Sequence, residues 1–134
     1  MRDNVVLTYT ATTAADRWVV KVQDADYYTF EDMTVWGQGA TYAYGFDVAG
    51  ADFLTIDNCV IKVPFVTSFN VYGLNIQNSG LNSCDNFTFT NNMVDGGYYN
   101  LRFYGDFNNH SQNAVIENNE MLNSYYYGLY CYYS

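Results

Sequence analysis

A chain of 134 residues with 49% apolar residues, 19% aromatics and one proline has the length of a single domain and enough material for a packed core, which excludes disorder. Its 14 acidic and 5 basic residues give a net charge of −9, which argues against nucleic acid, whose phosphates demand clustered Lys and Arg, and against anionic lipid surfaces. No apolar run is long enough to span a membrane, and Met1-Arg2-Asp3-Asn4 is not followed by the apolar stretch of a signal peptide.

Residues 1–16, rich in Thr and Ala, read as an N-terminal cap or a first partial strand over Val5 to Thr8. From residue 17 the chain is periodic. Trp18-Val19-Val20-Lys21-Val22 reads as the strand of an early partial rung. Two short patterns then alternate. The first reads Phe30-x-Asp32-x-x-Val35, Ile56-x-Asn58-x-x-Ile61, Phe89-x-Asn91-x-x-Val94 and Ile116-x-Asn118-x-x-Met121. The second is Tyr-x-apolar-x-apolar, beginning at Tyr44, Tyr72, Tyr99 and Tyr127. Spacings of 26 (Phe30 to Ile56), 33 (Ile56 to Phe89) and 27 (Phe89 to Ile116) place insertions between motifs that stay intact. Each motif is too short for a helix and alternates with period two, so it is a strand with one buried face. Strands recurring at such intervals predict an all-β solenoid whose rungs bury their apolar faces only by stacking on one another.

The alternation assigns the faces. Tyr28 and Phe30, Leu54 and Ile56, Phe87 and Phe89, Ala114 and Ile116 are expected inside, as are Phe46, Leu74, Leu101 and Leu129. Asp32, Asn58, Asn91 and Asn118 fall where the chain must bend, a place for residues that tolerate left-handed backbone and can bond along the stack, so they form the expected asparagine ladder.

With these units, "ADFLTIDNCVIK" (51–62) and "CDNFTFTNNMVDG" (84–96) among them, the chain resembles the right-handed parallel β-helix proteins of the pectate-lyase-like superfamily over residues 17–134, with about five rungs. The resemblance implies the fold, an extracellular or cell-surface location, and a polysaccharide as the class of partner. In lyases of that superfamily acidic residues hold calcium against a uronate carboxylate while an Arg or Lys takes a proton. Asp47 and Arg102 match this in kind only, since two rungs separate them. The hydrolase signatures of Gly-His-Gly and Arg-x-Lys and an aspartate pair are missing, and His110, the one histidine, lies in the polar run "GDFNNHSQN".

Chemistry on a solenoid belongs to its outward columns, because neighbouring rungs stand only about 4.8 Å apart. One column is Lys21, Asp47, Asn75, Arg102 and Tyr130; another is Glu31, Asp57, Thr90 and Glu117. Glu31 and Asp57 are like charges on adjacent rungs, a solvated acidic face or, with calcium as cofactor, a calcium site. Cys59, Cys84 and Cys131 make no disulfide framework, a Cys59–Cys84 bridge stays open, and Cys131 is expected in an inward column with Val48, Ile76 and Phe103. Fifteen tyrosines, six of them from Tyr125 onward, are the compositional anomaly. The column Tyr44, Tyr72, Tyr99 and Tyr127 should stack as support. Outward Tyr98, Tyr126 and Tyr130, with Asn75 and Arg102, make a surface suited to sugar rings. No catalytic residue is assigned. The expected function is a non-catalytic surface or scaffold module that binds carbohydrate or assembles end to end. A fragment of a polysaccharide lyase or glycoside hydrolase and a ligand-free self-assembling structural protein are the alternatives. "YYYGLYCYYS" closes the chain inside a rung, so self-association, or continuation of a longer chain through open solenoid ends, is expected.

Overall fold

The computed structural model describes residues 5–134. Fourteen strands follow in order: β1 (Val6–Tyr9), β2 (Trp18–Gln23), β3 (Thr29–Glu31), β4 (Thr34–Gly37), β5 (Ala43–Ala49), β6 (Thr55–Asp57), β7 (Val60–Lys62), β8 (Val71–Gln77), β9 (Thr88–Thr90), β10 (Met93–Asp95), β11 (Tyr99–Tyr104), β12 (Val115–Glu117), β13 (Glu120–Leu122) and β14 (Tyr127–Tyr132). One short 3₁₀ turn, Ala14–Asp16, precedes β2 and is closed by a capping box between Thr13 and Asp16. The strands visit three parallel sheets in strict rotation. The first sheet runs β1-β4-β7-β10-β13, the second β2-β5-β8-β11-β14 and the third β3-β6-β9-β12. This is a β-solenoid of about five turns. β1 pairs with β4, so the described part of the N-terminal segment contributes a strand to the first sheet.

Pairing follows the repeats residue for residue: Phe30↔Ile56↔Phe89↔Ile116 in the third sheet and Phe46↔Leu74↔Leu101↔Leu129 in the second. Only two residues, such as Asn58-Cys59 or Asn91-Asn92, link each strand of the third sheet to the next strand of the first. The insertions that break the 26-residue spacing fall at the other two corners, in residues 63–70, 78–87 and 105–114. The interior is filled from all three sides. Val35, Ile61 and Val94 face Phe46, Leu74 and Leu101 together with Ile56 and Phe89, and all are inaccessible to solvent. Gly45 and Gly73 are the third residues of their second-sheet strands, where a Cβ would collide with Ile61 and Val94, so the absent side chain sets how closely the two sheets approach.

Asp32, Asn58, Asn91 and Asn118 all adopt left-handed backbone, with φ of 55°, 50°, 57° and 55°. The Asn58 amide donates to Asp32 Oδ1, but that of Asn91 turns to Asp57 Oδ1 at 2.8 Å. One residue on lie two further amides, Asn92 buried and Asn119 half-buried. Asn92 accepts from the Cys59 N–H (2.8 Å) and donates to the Ile56 carbonyl (2.9 Å), while Asn119 accepts from the Asn92 N–H (2.9 Å) and donates to the Phe89 carbonyl (2.7 Å).

Several expected core residues lie at the surface. Tyr28 is 51% exposed because no earlier rung covers β3, and Ala114, Leu129 and Cys131 are exposed on the last turn. Cys59 and Cys84 are buried thiols aimed at backbone carbonyls and not at each other: Cys59 Sγ at Asp57 O (3.2 Å) and Cys84 Sγ at Gln77 O (3.4 Å). Burial pushes the Cys84 thiol pKa up.

Leu74 and Leu129 occupy one column but differ from complete burial to 45% exposure. Leu74→Ala should cost about 2–5 kcal/mol in denaturant unfolding, and Leu129→Ala below about 1 kcal/mol. Equal losses would show that the last turn is covered in solution.

Candidate functional site

The outward column of the second sheet is continuous. Lys21, Asp47, Asn75, Arg102 and Tyr130 stand in register on successive strands. Asn75 joins two of its neighbours, donating to Asp47 Oδ1 at 2.7 Å and accepting from Arg102 Nη1 at 2.7 Å. Asp47 and Asn75 are 6% and 2% exposed. A carboxylate taken out of water needs a donor, and the amide supplies one on one side while fixing the guanidinium on the other. Asn75 is therefore too enclosed to meet a ligand itself. It positions Arg102, whose guanidinium lies 4.4 Å from the centroid of Tyr104 and 5.8 Å from that of Tyr72.

Tyrosines line this column. Tyr44 stacks on Tyr72 at 4.7 Å, Tyr72 lies 5.4 Å from Tyr99, and Tyr99 lies 5.1 Å from Tyr130 and 6.1 Å from Tyr127, nearly parallel to both. Arg17, on the rung before, sits 4.6 Å from the Tyr44 centroid. Beside the column Tyr98 touches Tyr99 at 4.9 Å, Tyr126 at 5.4 Å and Tyr125 at 5.6 Å. Phe65, from the inserted loop after β7, reaches Tyr125 at 6.3 Å. Tyr98, Tyr126, Tyr130, Asn75 and Arg102 thus fall on one patch, linked ring to ring and through the Arg102–Asn75 bond. Sequence reading missed Phe65 and Tyr104: Phe65 lies in an insertion outside the repeat, and Tyr104 lies one residue past the repeated unit.

Glu31 and Asp57 are in register on β3 and β6. The Asp57 carboxylate turns to the following rung, accepting from Thr90 Oγ1 (2.6 Å) and Asn91 Nδ2 (2.8 Å), and these bonds lower its pKa. Two carboxylates, one already engaged, do not make a calcium cage. Among the described residues no three His, Cys, Asp or Glu side chains gather to hold an ion. A polar hollow of about 320 Å³ lies at another corner, lined by Asp24, Asp26, Asp52, Asn82 and Asn109 among others. Its carboxylates already serve the fold. Asp24 accepts from Ser79 and Asn82, Asp26 from the Asp52 N–H, and Asp52 from the Asp85 N–H. His110 is exposed, 6.3 Å from the Tyr133 ring.

Comparison with protein-family models, with curated proteins and with solved structures returned no match, so the site is read from its own geometry. No described helix is long and apolar enough to cross a membrane.

Burial first, then the neighbouring Tyr72, raise the pKa of Tyr44, and burial raises that of Tyr72 against the partial offset of Arg102 and Arg17. A phenol whose folded pKa lies above its unfolded value keeps its stabilising contribution below the unfolded pKa, about 10, and loses it as pH rises beyond. Unfolding free energy should accordingly fall above about pH 10, and Tyr44→Phe should flatten that decline. A decline of unchanged slope in the variant would place the alkaline sensitivity elsewhere.

Proposed function

We propose that this chain is a non-catalytic carbohydrate-binding module that presents one face of a β-solenoid to a polysaccharide. The observation that carries the reading is the patch of surface tyrosines, Tyr126 exposed and Tyr98 and Tyr130 partly so, beside a guanidinium immobilised by Asn75. Sugar rings offer apolar C–H faces and hydroxyl rims. Aromatic rings with polar tips, next to a fixed planar donor, match both. The rings in the middle of the stack spend their faces on one another, so the sugar-facing groups are those at its margin: Tyr126, Tyr130 and Phe65, with Arg102 as donor. The extracellular location implied by the superfamily resemblance, and the resemblance itself, belong to the same proposal.

A second reading, axial assembly of copies, is favoured by one observation. Leu129, in register with the fully buried Leu101, is 45% exposed, while Val6 and Leu7 on β1 are 52% and 38% exposed. The first and last described turns therefore both present apolar surface.

Glycan-array screening and calorimetry against neutral and acidic polysaccharides should give binding that Tyr130→Ala and Arg102→Ala each weaken by about 1–2 kcal/mol. No product should form with or without calcium. Turnover lost in Arg102→Ala would replace the module reading with an enzymatic one, and no binding to any glycan would remove it.

Light scattering distinguishes the assembly reading. End-to-end copies should give a mass that rises with concentration and returns to the monomer in Leu129→Lys. A strictly monomeric chain at high concentration would exclude assembly.

A further inference from the structure

Tyrosine pairs that share neighbouring rungs and also reach solvent are confined to the end of the second sheet. Tyr104 and Tyr132 are register partners on β11 and β14, their rings 5.2 Å apart at 24°, and they are 37% and 41% exposed. Tyr98 and Tyr126 repeat the arrangement at 5.4 Å and 26°, with Tyr126 55% exposed. Both pairs are held by backbone as well as by rings, since the Tyr126 N–H donates to the Tyr98 carbonyl at 3.0 Å and the Gly105 N–H to the Tyr132 carbonyl at 2.8 Å, while Arg102 packs on the Tyr104 ring. Tyr99 shares the same two rungs with Tyr130 at 5.1 Å and with Tyr127 at 6.1 Å, but it is only partly exposed and divides its ring between the two; away from this end one of the two conditions fails. Tyr44 and Tyr72 stack at 4.7 Å but are buried. Tyr27 is 75% exposed, but its stacking partner is Phe53, which has no phenol.

We propose that Tyr104–Tyr132, with Tyr98–Tyr126 as the second pair, is a site of oxidative modification at which a one-electron oxidant of the haem-peroxidase class, fed by hydrogen peroxide, couples two phenols into a dityrosine staple. Each phenol gives up one electron and one proton to become a phenoxyl radical. The two radicals form one carbon–carbon bond between ring positions ortho to oxygen, and each coupled carbon's hydrogen moves to its own phenolic oxygen, restoring both aromatic rings. Hydrogen peroxide takes up the two electrons and two protons and leaves as two waters. Radicals already in ring contact couple with one another ahead of encounters between chains. The staple would join β14 to β11, fastening the most exposed turn, where local opening costs least. Cys131 alternates with Tyr130 and Tyr132 along β14 and so projects from the opposite face of the strand.

The test treats dilute full-length protein, in a Cys131→Ser background that removes thiol oxidation, with a haem peroxidase and hydrogen peroxide. Dityrosine fluorescence is read on the monomer fraction, and the crosslinked peptides are mapped by tandem mass spectrometry. The expected result is a monomer lighter by two hydrogens per staple, with Tyr104 joined to Tyr132 and, less often, Tyr98 to Tyr126. Tyr104→Phe keeps the stacked ring and should lose the first link while retaining the second. Tyr132→Phe should do the same. Tyr27 should enter no link within a chain, and Tyr44–Tyr72 should be spared. Links formed only between chains, links spread over all exposed tyrosines, or an unchanged product in both phenylalanine variants would each overturn the proposal.

Discussion

The two-residue corner between the third and first sheets is the constraint on which the rest of the solenoid depends. Because side chains alternate along a strand, a slip of one residue there would carry every apolar group of the following strand to the outside. The corner resists the slip in two ways. Its first residue, Asp32, Asn58, Asn91 or Asn118, takes a left-handed conformation that few residue types accept. On the later turns its second residue carries an amide, buried at Asn92 and half-buried at Asn119, whose bonds are satisfied only when rungs are in register: Asn92 meets Cys59 N–H and Ile56 carbonyl, and Asn119 meets Asn92 N–H and Phe89 carbonyl. Misalignment would orphan several buried polar groups at once, each at about 1–3 kcal/mol.

With that corner fixed, the other two are free to vary. The insertions at 63–70, 78–87 and 105–114 leave the pairing of every strand intact. What they alter is the surface. The loop of residues 63–70 packs Val63 and Val66 against Ala43 and Val71, and its Asn70 accepts from Arg17, which in turn covers Tyr44. The same loop carries Phe65 to Tyr125. One insertion therefore both encloses the early part of the tyrosine column and widens the aromatic patch at its far end.

The fold was legible in the sequence because the repeat itself reports on it: the strand that holds Ile56 and the bend at Asn58 recur in every full turn, and their chemistry allows few alternatives. The inward and outward faces were legible wherever a rung has neighbours on both sides, as for Leu54, Ile56, Phe87 and Phe89. They failed for Tyr28, Ala114 and Cys131, because alternation assigns a direction to a side chain without saying whether another rung lies above it. The amides of Asn92 and Asn119, one residue past the bend, went unread for a related reason. Asn91 and Asn92 are the same residue type, and only the three-dimensional corner decides that the first bends the chain while the second enters the interior. A further corner went unread, where Tyr27, Phe53, Asn86 and Asn113 all take positive φ, since two bulky aromatics there disguise a position that Asn occupies on later turns. At the site, the register of Asp47, Asn75 and Arg102 was readable, but the bonds were not: Asp47 and Arg102 lie two rungs apart, and the Asn75 amide between them bonds to both.

The tyrosine column gives the molecule a gradient along its axis. Tyr44 is 4% exposed, Tyr72 7% and Tyr127 46%, although the three occupy equivalent positions on their rungs. In the early turns the phenols are part of the packing, their ionisation opposed by burial, and their substitution is a question of stability. In the last turn the same residue type, held by the same register, has hydroxyls and ring edges in water and is available to a ligand or an oxidant. A residue that builds the structure at one end therefore furnishes an exposed aromatic surface at the other, with no change in the repeat that encodes it. Selection on the repeat for rigidity would by itself supply the aromatic patch, and Arg102, held in place through Asn75, is the feature of that patch that stacking alone does not require.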